Sequence, residues 1–401
     1  MSTNVFGEQR TKAPPVFFAY GFRPFFLLAG LSAAALVPVW VCVATGTFGL
    51  GGNVPPSGWH AHEMLYGFAV AAIAGFLLTA IPSWTASTAV KGRPLMALVA
   101  LYLAGRVASL PALADSVPAA LIDLAFLPAL GALVAGPLIK AGKARNTAFL
   151  ALLALLTVAN ALFRLEWLGV TQATATLGAT LAIGVVLQMV VVVAGRIVPS
   201  FTQNALRMQD PKLAITPLPH LDRTALVLTA LLIPADLLLP GSMVTGLLAL
   251  AAAAAHGVRL SRWQGLRTLS QPVLWILHLG YAWIVVALAL KGLEFAAGLP
   301  FGGAWLHALT AGAFTTMILA VMSRAALGHT GRAIVVSRPT VAAYVLVSIA
   351  AAARTLLPML PDGAWTPALH SAGALWTLGF LLFLWVYAPI LTGPRADGRP
   401  G

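Results

Sequence analysis

The sequence predicts an all-α membrane protein of about twelve transmembrane helices, and three observations carry that prediction. Only 9% of the residues are charged while 60% are hydrophobic, and the mean hydropathy is +0.91. Apolar stretches long enough to cross a bilayer recur from one end to the other, and the basic residues fall between them in a two-sided alternation. A soluble domain carries about 25% charged residues because its surface faces water. A chain of 401 residues with so few charges must present most of its surface to lipid.

The elements follow in order. Runs of roughly 20 residues give spans over 24–45, 60–82, 94–111, 117–139, 146–166, 171–198, 221–240, 242–260, 271–291, 303–326, 338–358 and 366–390, within one polytopic domain covering 1–401. The first run is too long for the apolar region of a secretory signal and lacks a small-residue cleavage site after it. It holds Cys42, the single cysteine, so no intramolecular disulfide forms. Arg23-Pro24, Arg93-Pro94 and Arg338-Pro339 open the first, third and eleventh spans. Proline suits a first helical turn and arginine the inner interface. Between the seventh and eighth spans only Leu239–Gly241 offers a turn.

Lys and Arg orient the bundle. With a cytoplasmic N-terminus, the inner segments hold Arg10, Lys12 and Arg23; Lys91 and Arg93; Lys140, Lys143 and Arg145; and Arg196, Arg207, Lys212 and Arg223. They continue with Arg259, Arg262 and Arg267; Arg324, Arg332 and Arg338; and Arg395 with Arg399. That is 20 of 24, leaving Arg106, Arg164, Lys291 and Arg354 outside. A missed span would invert every later loop, so both termini are expected in the cytoplasm of a bacterial inner membrane. The net charge of +13 has the same origin. The basic residues are spread through short loops with no aromatic-basic patch, which excludes a nucleic-acid partner.

A weak repeat groups the helices. Ile81-Pro82-Ser83-Trp84-Thr85, Val198-Pro199-Ser200-Phe201-Thr202 and Val321-Met322-Ser323-Arg324 close spans two, six and ten at the inner end. Trp59-His60-Ala61-His62 and Trp305-Leu306-His307-Ala308 mark the outer ends of spans two and ten. One reading is three arcs of four helices, with spans two, six and ten in equivalent inner positions; the other is chance similarity among apolar helices.

An ionisable side chain at bilayer depth costs several kcal/mol, so each one marks a candidate site. His60 and His62 open span two at the outer face, His307 lies about two turns into span ten, and His370 one turn into span twelve. His278 is nearer the middle of span nine, one turn before Tyr281, a pair suited to copper, a redox role or simple packing. His220, His256 and His329 fall in or near inner loops. The outer half also collects Arg106, Arg164, Arg354, Glu63, Asp123, Glu166 and Asp236. Arginines there call for anionic partners, although Arg164 could pair with Glu166 and Arg354 could snorkel to the headgroups.

Neutral imidazoles from separate helices can hold a haem iron, and haem carboxylates need cations near an aqueous face. One of His60 or His62 with His307 as axial ligands, and Arg106, Arg164 or Arg354 near the propionates, would meet both needs. On an α-helix His60 shares its face with Gly67 and Ala71, while His62 points nearly opposite, over Tyr66 and Ala69. One turn therefore does not bring both imidazoles to one iron. His278 is the first candidate for copper or a second haem, and His370 a further metal candidate.

These residues carry a resemblance to the NnrS family. The motifs are Gly21-Phe22-Arg23-Pro24-Phe25-Phe26, Gly58-Trp59-His60-Ala61-His62-Glu63-Met64-Leu65-Tyr66-Gly67-Phe68 and Ala74-Gly75-Phe76-Leu77-Leu78-Thr79-Ala80-Ile81-Pro82. His278-Leu279-Gly280-Tyr281-Ala282-Trp283, His307-Ala308-Leu309-Thr310-Ala311-Gly312 and Leu327-Gly328-His329-Thr330-Gly331-Arg332 complete them. The resemblance implies a haem- and copper-containing bacterial inner-membrane protein, connected with denitrification and protection against nitric oxide. Nitric oxide or a nitrosyl species, membrane lipid and an electron donor are the partners it implies. A weaker resemblance links the chain to subunit I of haem-copper oxidases, with histidines on helices two and ten. Span six has no histidine and span seven no His-His pair, so the oxidases' three-histidine copper site is not expected. Turnover of nitric oxide would need a proton path, for which Glu63 and Asp123 are candidates. The rival expectation is a twelve-helix secondary transporter without a metal centre.

Overall fold

The computed structural model describes residues 14–208, 210–361 and 363–399. Arg10 and Lys12, assigned above to the inner side, lie outside the described residues. The described residues are mostly helical and include no strand. Among the described residues twelve long helices run in sequence: α1 (Phe22–Ala44), α2 (Pro56–Thr85), α3 (Arg93–Ala108), α4 (Val117–Lys140), α5 (Ala144–Trp167) and α6 (Thr174–Arg207). The second half is α7 (Pro219–Leu238), α8 (Met243–Ser261), α9 (Pro272–Ala297), α10 (Ala304–His329), α11 (Arg338–Met359) and α12 (Trp365–Thr392).

Ten of these are long and apolar enough to cross a membrane, and the chain is a multi-pass membrane protein. The other two fall short for visible reasons. Helix α3 has 16 residues, and α7 carries Asp222, Arg223 and Asp236 within 20. The narrow division between α7 and α8 is a real turn, closed by the Ser242 hydroxyl accepting the Thr245 N–H at 3.2 Å as an N-cap.

The packing forms three rows of four. Helices α11, α12, α1 and α2 adjoin in that order, α3 to α6 make a second row, and α7 to α10 a third. Helices α2, α6 and α10 meet one another in the middle. In both α2 and α10, 78% of the most apolar stretch is buried, against 28% in α1, so the central pair are surrounded by protein. Small residues permit this approach. A Cβ added at Gly75 of α2 would lie 2.8 Å from the Phe26 ring of α1.

Arg23 departs from its expected place at the interface. It is fully buried, and its Nη1 donates to the carbonyls of Leu391 at 2.9 Å and Gly393 at 2.8 Å. Those are unpaired carbonyls at the end of α12, so Arg23 ties the start of the first helix to the end of the last. The Leu327–Arg332 string also has a structural role. It ends α10, with Thr330 Oγ1 donating to the Ala326 carbonyl at 2.6 Å and Gly331 in the left-handed region at φ +70°.

Both central helices contain a π segment, Glu63–Ala69 in α2 and Ala308–Phe314 in α10. Each begins within three residues of His60 or His307. Such segments inside α-helices are frequent at functional sites.

Candidate functional site

Two buried polar features grow from the first turns of α2, at the end of the bundle opposite the basic loops. The first is a cavity of about 360 Å³ between α1, α2, α10, α11 and α12, with Ile183 of α6 also in its wall. His60, His307 and Arg354 line it together, with Trp40, Met64, Phe68, Phe314 and Trp376 among its apolar walls. His307 is the fourth residue of α10, which starts at Ala304, so it sits one turn in rather than two. His60 stands one turn into α2, which starts at Pro56.

The π segment changes which residues face the cavity. An α-helix would place Gly67 and Ala71 below His60. The wider π turn takes about one more residue, and Met64, Leu65, Phe68 and Ala69 line the cavity instead. Gly67 turns away, with its missing Cβ 3.1 Å from Glu63 Oε2 and 3.6 Å from Arg106 Cδ.

The Trp40 indole stacks on the His60 ring, with centroids 4.4 Å apart and planes at 10°. His60 Nδ1 is buried without a hydrogen-bond partner. An orphaned buried polar group costs roughly 1–3 kcal/mol and calls for an explanation. Arg354 is a wall of the same cavity, and no carboxylate pairs with it among the described residues.

The second feature is a charged network centred on Asp123. His62 is fully buried, with Nδ1 3.0 Å from Glu63 Oε1 and Nε2 2.9 Å from Asn160 Oδ1 and 3.2 Å from Asp123 Oδ2. Both ring nitrogens face acceptors, so His62 offers none to a metal. Arg106 donates to Glu63 at 2.5 Å and also to Asp123. Arg164 lies 2.8 Å from Asp123 Oδ2 and donates to the Ser109 hydroxyl, while Asn160 Nδ2 donates to Asp123 at 2.8 Å. The network joins α2, α3, α4 and α5. Arg164 does not pair with Glu166, which instead accepts the Ala175 N–H at 2.7 Å.

The remaining candidates lie apart. His278 is near the basic end, with Nε2 2.9 Å from Thr202 Oγ1 and Nδ1 buried without a partner. A Cβ at Gly265 would come within 2.7 Å of that Nδ1, so the loop after α8 closes over it. Tyr281 does not bond to His278; its hydroxyl lies 2.6 Å from His256 Nδ1. His256 belongs to the buried interior of α8 and not to a loop. His370 is exposed on α12, off the cavity. No three His, Cys, Asp or Glu side chains converge as a metal cage among the described residues.

A family model described as NnrS protein matches residues 16–395, nearly the whole chain. The chain belongs to the NnrS family. A comparison with curated proteins finds no match. Membership fits a role in the nitric oxide response. The NnrS strings from Trp59 to Phe68 and from His307 to Gly312 are the two that build the cavity and its π segments.

Gly312 shows how closely the NnrS site is packed. A Cβ there would lie 2.6 Å from Trp283 Cδ2, inside an indole that cannot move far. Gly312→Ala is expected to destabilise the protein by roughly 1–3 kcal/mol, seen as a lower midpoint of thermal unfolding in detergent.

Proposed function

We propose that this NnrS-family protein is a haem-binding protein of the bacterial inner membrane that binds or processes nitric oxide or its iron-nitrosyl products during nitrosative stress and denitrification. One observation carries the reading: His60 and His307, on the two central helices, line a single cavity that also contains Arg354. The residues fit the group. Two imidazoles are a donor set for haem iron, and His60 Nδ1 is buried with no hydrogen-bond partner in the protein. Arg354 is the cation available to a propionate, since Arg106 and Arg164 are held by Glu63 and Asp123. A volume of about 360 Å³ falls within the roughly 300–1,000 Å³ of cofactor sites.

When bound, haem would supply a redox-active iron that could take nitric oxide in exchange for one of its two imidazoles. The protein's own part is to hold and shield that group. His60 and His307 would hold it from two helices, with Trp40 stacked on the His60 ring and apolar side chains forming most of the cavity wall. In the orientation given by the basic residues the cavity lies toward the periplasm, surrounded by lipid, and an electron donor reaches it from outside the chain. Copper fits poorly. His278 bonds to Thr202 and belongs to no group of three metal-ligating side chains among the described residues.

The transporter reading needs mobile intramembrane acids. Asp123 is locked by two arginines, and Asp236 lies 2.5 Å from Lys291 Nζ, whose ammonium sits 4.3 Å from the Trp305 ring. These acids are fixed components of helix packing.

The optical spectrum of the purified protein tests the proposal. A Soret band that shifts with dithionite and again with nitric oxide is expected; a colourless, metal-free preparation would overturn it. Arg354→Gln removes one charge-assisted contact of about 1.5–3 kcal/mol. Haem affinity should fall about 10- to 100-fold by titration, with the thermal midpoint of the haem-free protein unchanged.

A further inference from the structure

Toward the basic end, α7, α8 and α9 enclose a second polar chain that the haem reading does not use. Tyr281 is fully buried, with its hydroxyl 2.6 Å from His256 Nδ1 and 2.9 Å from Arg259 Nη1. The directions of these bonds are determined. Arg259 can only donate, so the phenol accepts from it and donates its own proton to His256 Nδ1. His256 Nε2 then carries the ring proton and donates to Thr229 Oγ1 at 2.9 Å, and that hydroxyl donates to the Ala225 carbonyl at 2.8 Å. Asp222 Oδ1 holds Arg259 Nε at 2.6 Å.

An indole connects this chain to the surface. The Trp263 ring lies 4.5 Å from that of Tyr281, and Trp263, Arg259 and Arg262 line a pocket of about 120 Å³. Gly195 gives the guanidinium its place, since a Cβ there would lie 2.0 Å from Arg259 Nη2. The pocket is too small for a macrocycle and has room for a molecule of a few atoms; with Arg259 paired to Asp222, itself a wall of the pocket, Arg262 is the cation left for an anionic product.

We propose that Tyr281 is a redox-active tyrosine paired with His256 as its proton acceptor. One electron leaves the phenol by way of Trp263 to a small one-electron oxidant in the pocket. The phenolic O–H bond breaks and the proton forms a new N–H bond at His256 Nδ1. Tyr281 becomes a neutral tyrosyl radical, His256 becomes an imidazolium, and the oxidant gains one electron. The oxidant is nitrogen dioxide, formed from nitric oxide and oxygen, which leaves as nitrite. Only the identity of the oxidant rests on the nitric oxide reading; the Tyr281–His256 pair does not.

Photogenerated tris(bipyridyl)ruthenium(III) tests the pair without haem or nitric oxide. The detergent-solubilised protein is illuminated with a sacrificial acceptor, frozen, and read by EPR. The wild type is expected to give a tyrosyl signal that narrows with ring-deuterated tyrosine and is the same in haem-free preparations. The chain has six tyrosines, so the assignment depends on single variants. Tyr281→Phe keeps the ring and should remove the signal, and His256→Asn should lower its yield at least several-fold, whichever of the two folds better. An equal yield in either folded variant, or only a tryptophanyl signal in the wild type, overturns the proposal. A radical with ruthenium(III) but none with nitrogen dioxide overturns the assigned oxidant.

Discussion

Asp123→Asn is expected to cost the fold about 3–5 kcal/mol, the typical loss when one member of a buried ion network is removed. Asp123 is 2% exposed and receives Arg106, Arg164, Asn160 and His62 at its two oxygens. An asparagine of the same shape has one acceptor oxygen and an amide that donates. It would leave Arg164 buried beside a donor and would turn the Asn160 contact from attractive to repulsive. Urea or thermal unfolding in detergent should show the loss directly. Glu166→Gln is the comparison, because Glu166 accepts a single backbone N–H at the start of α6 and its replacement should cost no more than about 1 kcal/mol. Equal midpoints for the Asp123 variant and the wild type would mean that the network contributes nothing to holding α2 to α5.

The second large effect concerns the cofactor. His60→Ala and His307→Ala should each reduce bound haem from stoichiometric to background, with helical content preserved. The two rings come from different helices, so neither can replace the other. His278→Ala and His370→Ala should retain haem, because His278 bonds to Thr202 near the basic end and His370 is exposed. His62→Asn separates two roles. Its ring reaches Glu63, Asn160 and Asp123, so the variant should lower stability while keeping the spectrum of whatever protein folds.

Much of the architecture was legible because lipid imposes strong rules. Charge scarcity, helix length and the distribution of basic residues gave about twelve helices, and the Ser83, Ser200 and Ser323 repeat pointed to α2, α6 and α10 as the inner set. The site was only partly legible. A simple helical wheel put Gly67 under His60, and nothing in the sequence announces that Glu63–Ala69 is wound as a π segment. Trp40 was missed because an aromatic in a lipid-length helix reads as packing, yet it stacks on His60. Asn160 could have been noticed as a lone amide in an apolar stretch. Their distance from the helix ends places Arg23 and His256 at interfaces or in loops when the sequence is read alone. Their partners, the last carbonyls of α12 and the Tyr281 hydroxyl, are about 370 and 25 residues away in sequence, and only the packing brings them close.

The EPR spectrum of the oxidised purified protein addresses the haem assignment most directly, in the wild type and in the His60→Ala and His307→Ala variants. Low-spin iron with two imidazole ligands is expected in the wild type, and its loss in each variant. An unchanged low-spin signal in either variant, or a folded wild type without iron, would contradict a haem held between α2 and α10.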